Sequence, residues 1–237
     1  MQLWRIPLTV EAGAAIELAK CLSPDERLRA ERFRAERDHR RFIAGRGALR
    51  AILGDELRIA PEHIRFAYGS HGKPCLDPAL GVPELRFNLS HSDDLALLAL
   101  THHGEVGVDL ERIRDDRATD AIACRFFSRA ECMALSALPA NEQTDAFFAI
   151  WARKEAYLKA RGEGLHFPLG AFTVSLGQPA ALLEVEGEPD EIDRWRLEAL
   201  DVGPGFAAAL AAERCAPSPV WRDWTGVRGV PARRAVP

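Results

Sequence analysis

Two short segments of the chain combine carboxylates with a lysine at spacings that suit one site. In Gly107-Val-Asp-Leu-Glu111 the acids alternate with aliphatic residues, so a strand places Asp109 and Glu111 on one face. In Trp151-Ala-Arg-Lys-Glu-Ala-Tyr-Leu-Lys159, one i, i+4 stripe of a helix carries Trp151, Glu155 and Lys159. The strand face can hold a cation and the stripe can face it, which predicts a magnesium-dependent phosphate-transfer site.

Each of these signals also has a purely structural explanation. Acidic pairs at strand ends are mostly solvated surface, and an i, i+4 acid–base pair contributes only about 0.3–0.5 kcal/mol. On that interpretation Arg153 and Lys154, which flank the pair, are exposed too. His91 alone is typical of a hydrogen-bonded turn, and Lys73 of an exposed turn. For Glu131 we favour a role as the N3 residue of the capping box Ser128-Arg-Ala-Glu131 over a metal role.

Capping boxes and apolar spacing predict the elements that must position these residues. One helix is expected from Pro24 to about Ala35, after the box Ser23-Pro-Asp-Glu26, and another from His39 to Leu53, stopped by Gly54. The long helix is expected from Ala146 to Arg161, and the expected strands include residues 87–90, 95–101, 107–111, 172–176, 181–185, 195–200 and 206–212. Helices and short strands occur in both halves without regular alternation, so we predict an α+β fold with antiparallel sheets.

Composition is that of a globular protein with one large or two small domains: 237 residues, 47% hydrophobic and 28% charged. The N-terminus lacks the basic and apolar regions of a signal peptide, and no apolar run approaches the roughly 18–20 residues that cross a bilayer. Five cysteines without a Cys-x-x-Cys pair fit neither a disulfide framework nor a zinc knuckle. We therefore expect a cytoplasmic protein with no membrane partner.

Charge is unevenly distributed along the chain. Residues 20–50 carry ten Lys or Arg against five acids, a net charge of +5 that leaves −9 elsewhere. Residues 20–50 could therefore form a site for a polyanion, or a helix whose solvent-exposed face carries mixed charges. Nucleic acid is not favoured, because the aromatic interleaving of a stacking platform is missing. Walker-type and serine-nucleophile motifs are also missing from the sequence, so those two chemistries lose support.

Five blocks occur in a fixed order along the chain: Gly72-Lys-Pro-Cys-Leu76, Phe87-Asn-Leu-Ser-His-Ser92, Gly107-Val-Asp-Leu-Glu111, Phe126-Phe-Ser-Arg-Ala-Glu131 and Trp151 to Leu165. Together they resemble the 4′-phosphopantetheinyl transferases of the Sfp type. The resemblance runs from about Leu22 to about Ala212, and the last block is its most specific part.

The resemblance implies transfer of phosphopantetheine from coenzyme A to a serine of an apo carrier protein, with release of 3′,5′-ADP. The carrier would be an acyl or peptidyl carrier of fatty-acid, polyketide or nonribosomal peptide biosynthesis. The implied fold has two similar α+β halves related by a pseudo-twofold axis, each with a small antiparallel sheet packed on helices, and the site between them. Because both halves lie on one chain, a monomer is expected. We accordingly divide the chain into residues 1–104, 105–215 and a Pro-rich tail, 216–237, that we expect to be loosely attached.

The same resemblance implies roles for individual residues. Asp109, Glu111 and Glu155 match the metal-site acids of the family. Our own hypothesis is that Glu155 accepts the serine proton, directly or through a metal-bound water, and whether it is base, metal ligand or both stays open at this point. Lys159 and His91 are the other catalytic candidates. The residues expected to contact coenzyme A phosphates are Lys73, Ser90, His91, Arg41, Arg29 and Lys159.

Two positions depart from the family pattern, and two other functions stay open. Asp93 stands where glycine is frequent, and Glu26 stands where some members have a basic residue. The first alternative is a different magnesium-dependent transferase or hydrolase that acts on a nucleotide pyrophosphate. The second is a catalytically silent carrier-binding protein, against which the retention of the three acids and Lys159 argues.

Overall fold

The structure, a computed structural model, describes residues 1–115, 119–164 and 167–226. The strands are β1 Gln2–Pro7, β2 Phe66–Tyr68, β3 Pro74–Leu76, β4 Arg86–Ser92, β5 Leu95–Thr101, β6 Val106–Arg112, β7 Phe172–Val174, β8 Leu182–Val185, β9 Trp195–Ala199, β10 Phe206–Glu213 and β11 Val220–Asp223. The helices are α1 Ala12–Lys20, α2 Pro24–Ala30, α3 Glu36–Leu57, α4 Thr119–Phe126, α5 Arg129–Ser136, α6 Ala140–Arg161 and α7 Glu191–Arg194. Leu165, the last residue of the fifth block, and the tail beyond Gly226 lie outside these ranges.

Two small sheets form the centre of the fold. One has the strand order β11-β1-β5-β4 and the other the order β6-β10-β9, while β2-β3 and β7-β8 form two-stranded ribbons. The pairings within these sheets are antiparallel, except that β1 and β11 run parallel. The predicted α+β class is therefore confirmed.

The two halves repeat one arrangement of a capping box and a long helix. Glu26, at N3 of the first box, binds Arg50 with Oε2 and Nε 2.6 Å apart. Glu131, at N3 of the second box, binds Lys154 with Oε1 and Nζ 2.7 Å apart. Arg50 and Lys154 are each the fifteenth residue of a helix of 22 residues. This repeat supports the expectation of two similar halves, although no long repeated sequence is obvious in the chain.

Three clusters of buried apolar side chains hold the elements together. One packs α3 against the first sheet, and a second packs α6 against the second sheet and β7-β8. The third lies between the sheets, where Leu3 and Leu97 of the first meet Val108 and Leu210 of the second. Because this third cluster draws on both halves, the two halves share a core.

Several predicted helix boundaries are wrong. Helix α2 ends at Ala30 rather than near Ala35, because the amides of Arg32 and Phe33 bond three residues back, as in tight turns. Helix α3 passes through Gly54 to Leu57. A Cβ at Gly54 would lie 2.7 Å from the carbonyl oxygen of Ile59, so this glycine serves the close return of the chain rather than the helix stop. Arg58, at φ +56°, provides the left-handed cap instead.

The expectation of a loosely attached tail from Ala216 is wrong for the residues up to Trp224. Strand β11 pairs with β1, with Trp221 opposite Leu3, and the amide of Trp224 donates to the carbonyl of Arg5. Trp224 is buried in the core of the first half. Apolar burial of an indole therefore fixes this segment despite its prolines. Within the described ranges, no helix is both long and apolar enough to cross a lipid bilayer.

Candidate active site

The strand β6 lies directly against the helix α6 because residue 107 is glycine. A Cβ at Gly107 would lie 2.1 Å from the carbonyl oxygen of Ala156 and 2.3 Å from the amide nitrogen of Ala160. No other residue type fits at these distances. Asp109 and Glu111 share the face of Gly107, as the alternation predicts, while Val108 and Leu110 are buried in the core between the sheets.

The helix stripe meets the strand at Lys159 and Asp109, which were both predicted to belong to one site. Lys159 Nζ lies 2.5 Å from Asp109 Oδ1 and 2.9 Å from the hydroxyl of Ser90. The Ser90 hydroxyl also lies 3.0 Å from the same carboxylate oxygen, to which it donates. Asp109 is 3% exposed, and its Oδ2 finds no hydrogen-bond partner among the described residues. A buried carboxylate oxygen without a donor is suited to a cation or to a substrate hydroxyl.

Glu155 is brought to the same place, one helical turn before Lys159. Burial raises the pKa of Glu155, and the nearby carboxylates of Asp109 and Glu111 raise it further against the opposing effect of Lys159. The three acids therefore lie within electrostatic reach of one another. Among the described residues, however, no three His, Cys, Asp or Glu side chains form a ready-made metal group.

A cleft of about 680 Å³ opens beside this cluster on the N-terminal half. Its lining includes the basic residues Arg29 and Arg41, the rings of Phe42, Tyr68 and His91, and the acid Asp93. The guanidinium of Arg29 lies 5.4 Å from the ring centre of Phe42, which holds one charge at the cleft wall. Because β4 runs from Ser90 in the cluster to His91 and Ser92 in the cleft, the two places form one continuous site.

The pKa of His91 lies below its ordinary value, which favours the neutral imidazole over the cation. Desolvation lowers its pKa, and the positive charges of Lys159, Arg29 and Arg41 lower it further. A neutral imidazole offers one N–H donor and one acceptor nitrogen. Because Lys159, Arg29 and Arg41 all act on His91, the surroundings of this histidine are positively charged and suit an anion.

Arg41 and Asp93 form an ion pair in the cleft, at one of the two departures from the family pattern. Arg41 Nη2 lies 2.7 Å from Asp93 Oδ1, while Arg41 Nε is buried without a partner among the described residues. Asp93 has φ +55°, in the turn between β4 and β5. That left-handed conformation explains why glycine suits the position, and aspartate is among the residues that tolerate it.

Glu26, the other departure, lies at the edge of the cleft but is only 3% exposed. Its carboxylate accepts hydrogen bonds from Arg46 and Arg50 of α3 and from the amide of Ser23. These contacts neutralise it, and they explain why part of the predicted +5 window serves the fold rather than a ligand. Arg46 lines the cleft as well, so Arg29 and Arg41 are the cleft arginines of that window that Glu26 does not bind.

Lys73 is placed differently from the other predicted phosphate contacts. Its Nζ donates to Glu105 Oε2 at 2.9 Å, to the carbonyl of Ala160 at 3.0 Å and to the carbonyl of Val106 at 3.2 Å. All three protons of the ammonium are used, and Lys73 does not line the cleft. In this arrangement it fastens the β2-β3 ribbon to the ends of β6 and α6, so contact with a phosphate requires one of these bonds to break.

Arg153 and Lys154 are buried, which rules out the surface placement that the purely structural explanation gave them. Arg153 donates to the carbonyl of Leu176 at 2.9 Å, and Lys154 donates to Glu131 at 2.7 Å and to the carbonyl of Phe172 at 2.5 Å. The preferred role of Glu131 is confirmed, since its carboxylate accepts from the amide of Ser128 at 2.8 Å. Burial lowers the pKa of Lys154 to about 8 against the opposing effect of Glu131.

Sequence reasoning missed Ser92 and Glu105 as residues of the site region. Ser92 Oγ lies 3.5 Å from Glu111 Oε2, and Glu105 binds both Lys73 and Arg86. The signal for Ser92 was available, because polar residues alternate with apolar ones along Phe87-Asn-Leu-Ser-His-Ser92. For Glu105 there was no local signal, since its partners lie 32 and 19 residues away in sequence.

Comparison with known proteins gives consistent matches over most of the chain. Residues 105–211 match the model of the 4′-phosphopantetheinyl transferase superfamily, and residues 11–103 match that of the 4′-phosphopantetheinyl transferase N-terminal region. The 4′-phosphopantetheinyl transferase HetI of Nostoc sp. is 44% identical over 165 residues, which cover 70% of each chain. The chain belongs to the 4′-phosphopantetheinyl transferase superfamily.

Other members of the superfamily align over more of the length at lower identity. The 4′-phosphopantetheinyl transferase Sfp of Bacillus subtilis is 32% identical over 192 residues, 81% of this chain and 82% of its own. The 4′-phosphopantetheinyl transferase psf-1 of Bacillus pumilus is 36% identical over 201 residues, 84% of this chain and 82% of its own. This phosphopantetheinyl transferase is therefore an enzyme, which confirms the predicted family and class.

Proposed function

We propose that this transferase moves 4′-phosphopantetheine from coenzyme A to a serine hydroxyl of an apo acyl or peptidyl carrier protein, with release of 3′,5′-ADP. The observation that carries the proposal is the continuity of the Asp109–Lys159 pair, through β4, with a cleft that contains Arg29 and Arg41. Coenzyme A has both a pyrophosphate and a 3′-phosphate, so its recognition requires a reactive centre and a separate cationic pocket. The Asp109–Lys159 pair would supply the first, and Arg29 and Arg41 in the cleft would supply the second.

The cleft would hold the 3′-phosphate end of coenzyme A. Arg41 can donate from its partnerless Nε, and Arg29 adds a charge at the same wall. The neutral ring of His91 would donate one hydrogen bond to a phosphate oxygen. The ring of Phe42, held under Arg29, gives an apolar surface beside the phosphate.

Magnesium fits the donor set of the centre. Mg²⁺ is typically bound by one or two carboxylates together with waters and phosphate oxygens, so Asp109 and Glu111 suffice, with Glu155 nearby. The partnerless Oδ2 of Asp109 offers a free ligand oxygen, and the carboxylates of Asp109 and Glu111, after burial, help to raise the pKa of Glu155, so a cation beside these acids would be stabilised. When bound, the ion would neutralise charge on the pyrophosphate.

Glu155 would act as the base that receives the proton of the carrier serine. Its pKa is raised by burial and by the neighbouring acids, which brings a carboxylate closer to the proton affinity that base catalysis at neutral pH needs. The serine oxygen would attack the β-phosphorus and the bond to the departing 3′,5′-ADP would break. Lys159 would stabilise charge on the phosphate oxygens, which is the main protein contribution to phosphoryl transfer.

Intact mass measurement of a panel of apo carriers, after incubation with coenzyme A and magnesium, tests the proposal. We expect one carrier to gain the mass of phosphopantetheine, while the same carrier with its acceptor serine replaced by alanine gains nothing. Pyrophosphate cleavage without carrier modification would favour another transferase or hydrolase instead. Binding of a carrier without any reaction would favour a silent carrier-binding protein.

A further inference from the structure

The two sheets meet along β4 and β6, and side chains join them there. Within the described residues, β4 is an edge strand of the first sheet and β6 is an edge strand of the second. Asn88 Oδ1 accepts from the amide of Val108 at 2.8 Å, Ser90 Oγ from Leu110 at 3.3 Å, and Ser92 Oγ from Arg112 at 3.0 Å. We call these three side chains, Asn88, Ser90 and Ser92, the ladder.

The spacing of the ladder follows from strand geometry. Residues i, i+2 and i+4 of β4 project from one side of the strand, and alternate amides of β6 point out of its edge at the same repeat. Short polar side chains thus take the place that carbonyl groups of a neighbouring strand would occupy. The amides at the edge of β6 thus find hydrogen-bond acceptors, although β4 and β6 do not pair as neighbouring strands of one sheet.

The two serines of the ladder also contact the carboxylates of β6. Ser90 donates to Asp109 Oδ1 at 3.0 Å, and Ser92 donates to Glu111 Oε2 at 3.5 Å. Each serine therefore binds a carboxylate and the amide that follows it in β6. Ser90 accepts from Lys159 Nζ as well, at 2.9 Å, so its one proton and both lone pairs are used.

We propose that the ladder sets the register of the carboxylate strand and that Ser92 is a positioning residue for Glu111, as Ser90 is for Asp109 and Lys159. A shift of β6 by one residue would move Asp109 and Glu111 to the opposite face of the strand. Contacts that fix the register of β6 therefore also fix the position of both acids. Asn88 makes its contact with backbone only and therefore serves as the internal comparison. The magnesium part of the inference rests on the proposed function, whereas the register part does not.

Hydrogen exchange on the full-length protein tests the register part. In Ser92→Ala we expect the amide of Arg112 to exchange about tenfold faster, as loss of one hydrogen bond predicts, and Ser92→Thr to restore the slow rate. Asn88→Ala should accelerate Val108 in the same way. Ser136→Ala, which removes an exposed serine hydroxyl bound to a helical carbonyl on α5, should change neither amide and is the matched control. Unchanged exchange at Arg112 in Ser92→Ala would overturn the proposal.

The magnesium requirement of transfer tests the positioning part. Ser92→Ala should raise the magnesium concentration for half-maximal rate about fivefold, with kcat at saturating magnesium changed less than twofold, and Ser92→Thr should reverse the shift. A fall in melting temperature and kcat without that shift would make Ser92 merely structural and would overturn the assignment. If the wild-type protein transfers no phosphopantetheine at all, the proposed function fails. Hydrogen exchange still decides whether the three ladder side chains bind the amides of β6.

Discussion

Lys159 Nζ and Asp109 Oδ1 lie 2.5 Å apart, joining the last turns of α6 to the middle of β6. The aspartate is almost fully buried, while the lysine side chain is 29% exposed. The pair couples the stability of the fold to the charge of the candidate site, since each partner compensates the other where water is scarce.

Loss of this pair should reduce both stability and turnover. Lys159→Met leaves the Asp109 charge without its cation, so we expect a decrease of about 2–3 kcal/mol in the free energy of unfolding. The transfer rate should fall about 100-fold or more, because a charge that stabilises phosphate oxygens is lost. Urea unfolding and transfer assays measure the two effects. Lys20→Met removes an exposed ion pair with Glu17 and should cost less than about 1 kcal/mol; equal effects of both substitutions would contradict the assignment.

Glu155→Gln should lower kcat by about 10²–10⁴ while the Kd for coenzyme A changes little, because the group acts on the acceptor proton. In the wild-type enzyme, kcat/KM should fall as the pH decreases through the raised pKa of Glu155, since protonation removes the base. The variant should lack that limb of the pH profile. Glu142→Gln, at the exposed start of α6, is the control and should leave the profile unchanged. Parallel losses of kcat and affinity would count against a base.

Asp93→Asn and Asp93→Gly should both strengthen binding of coenzyme A. The carboxylate occupies Arg41 at 2.7 Å, so removing its charge frees the guanidinium for the 3′-phosphate, with an expected threefold to tenfold decrease in Kd, about 0.6–1.4 kcal/mol. Binding of the analogue that lacks the 3′-phosphate should not improve, and calorimetry can compare the two ligands. Weaker binding of coenzyme A in both variants would show instead that Asp93 orients Arg41 for the ligand.

Lys154 should give a recognisable pH dependence of stability. Burial holds its pKa at about 8, below the ordinary value of 10.5, so between these values the unfolded chain binds more protons than the folded one. The free energy of unfolding should therefore gain up to about 1.4 kcal/mol per pH unit from this group as the pH rises. The difference between the wild type and Lys154→Met, from urea unfolding at several pH values, should show this slope. Should the single variant fail to fold, Lys154→Met with Glu131→Gln provides the comparison; identical slopes with and without the lysine would refute the prediction.

Gly107→Ala should destabilise the protein by about 1–3 kcal/mol or more, because the new methyl group meets the backbone of α6. Separation of β6 from α6 should also weaken the Asp109–Lys159 contact and slow transfer. Gly13→Ala is the matched control, since a Cβ there meets nothing within 4 Å, and in a helix it should be neutral or stabilising by up to about 1 kcal/mol. Thermal unfolding of the two variants distinguishes packing from a general effect of replacing glycine.

Local pattern was sufficient for the parts of the site that lie on single elements. Alternation in β6 placed both acids on one face, and the i, i+4 stripe placed Glu155 and Lys159 together, because strand and helix periodicity are properties of neighbouring residues. The capping boxes predicted the starts of α2 and α5 for the same reason. Helix ends were less predictable, since the stop at Arg58 depends on the return of Ile59 towards Gly54.

The sequence by itself therefore determined the family and the α+β class, and it singled out the acids and the lysine of the candidate site. Only the tertiary structure decided that Lys73 fastens two elements together, that Lys154 is buried on Glu131, and that Ser92 reaches Glu111. These contacts join residues 19 to 87 positions apart. Such contacts depend on where the two sheets meet and on which charges lose water there, and neither is encoded in local periodicity.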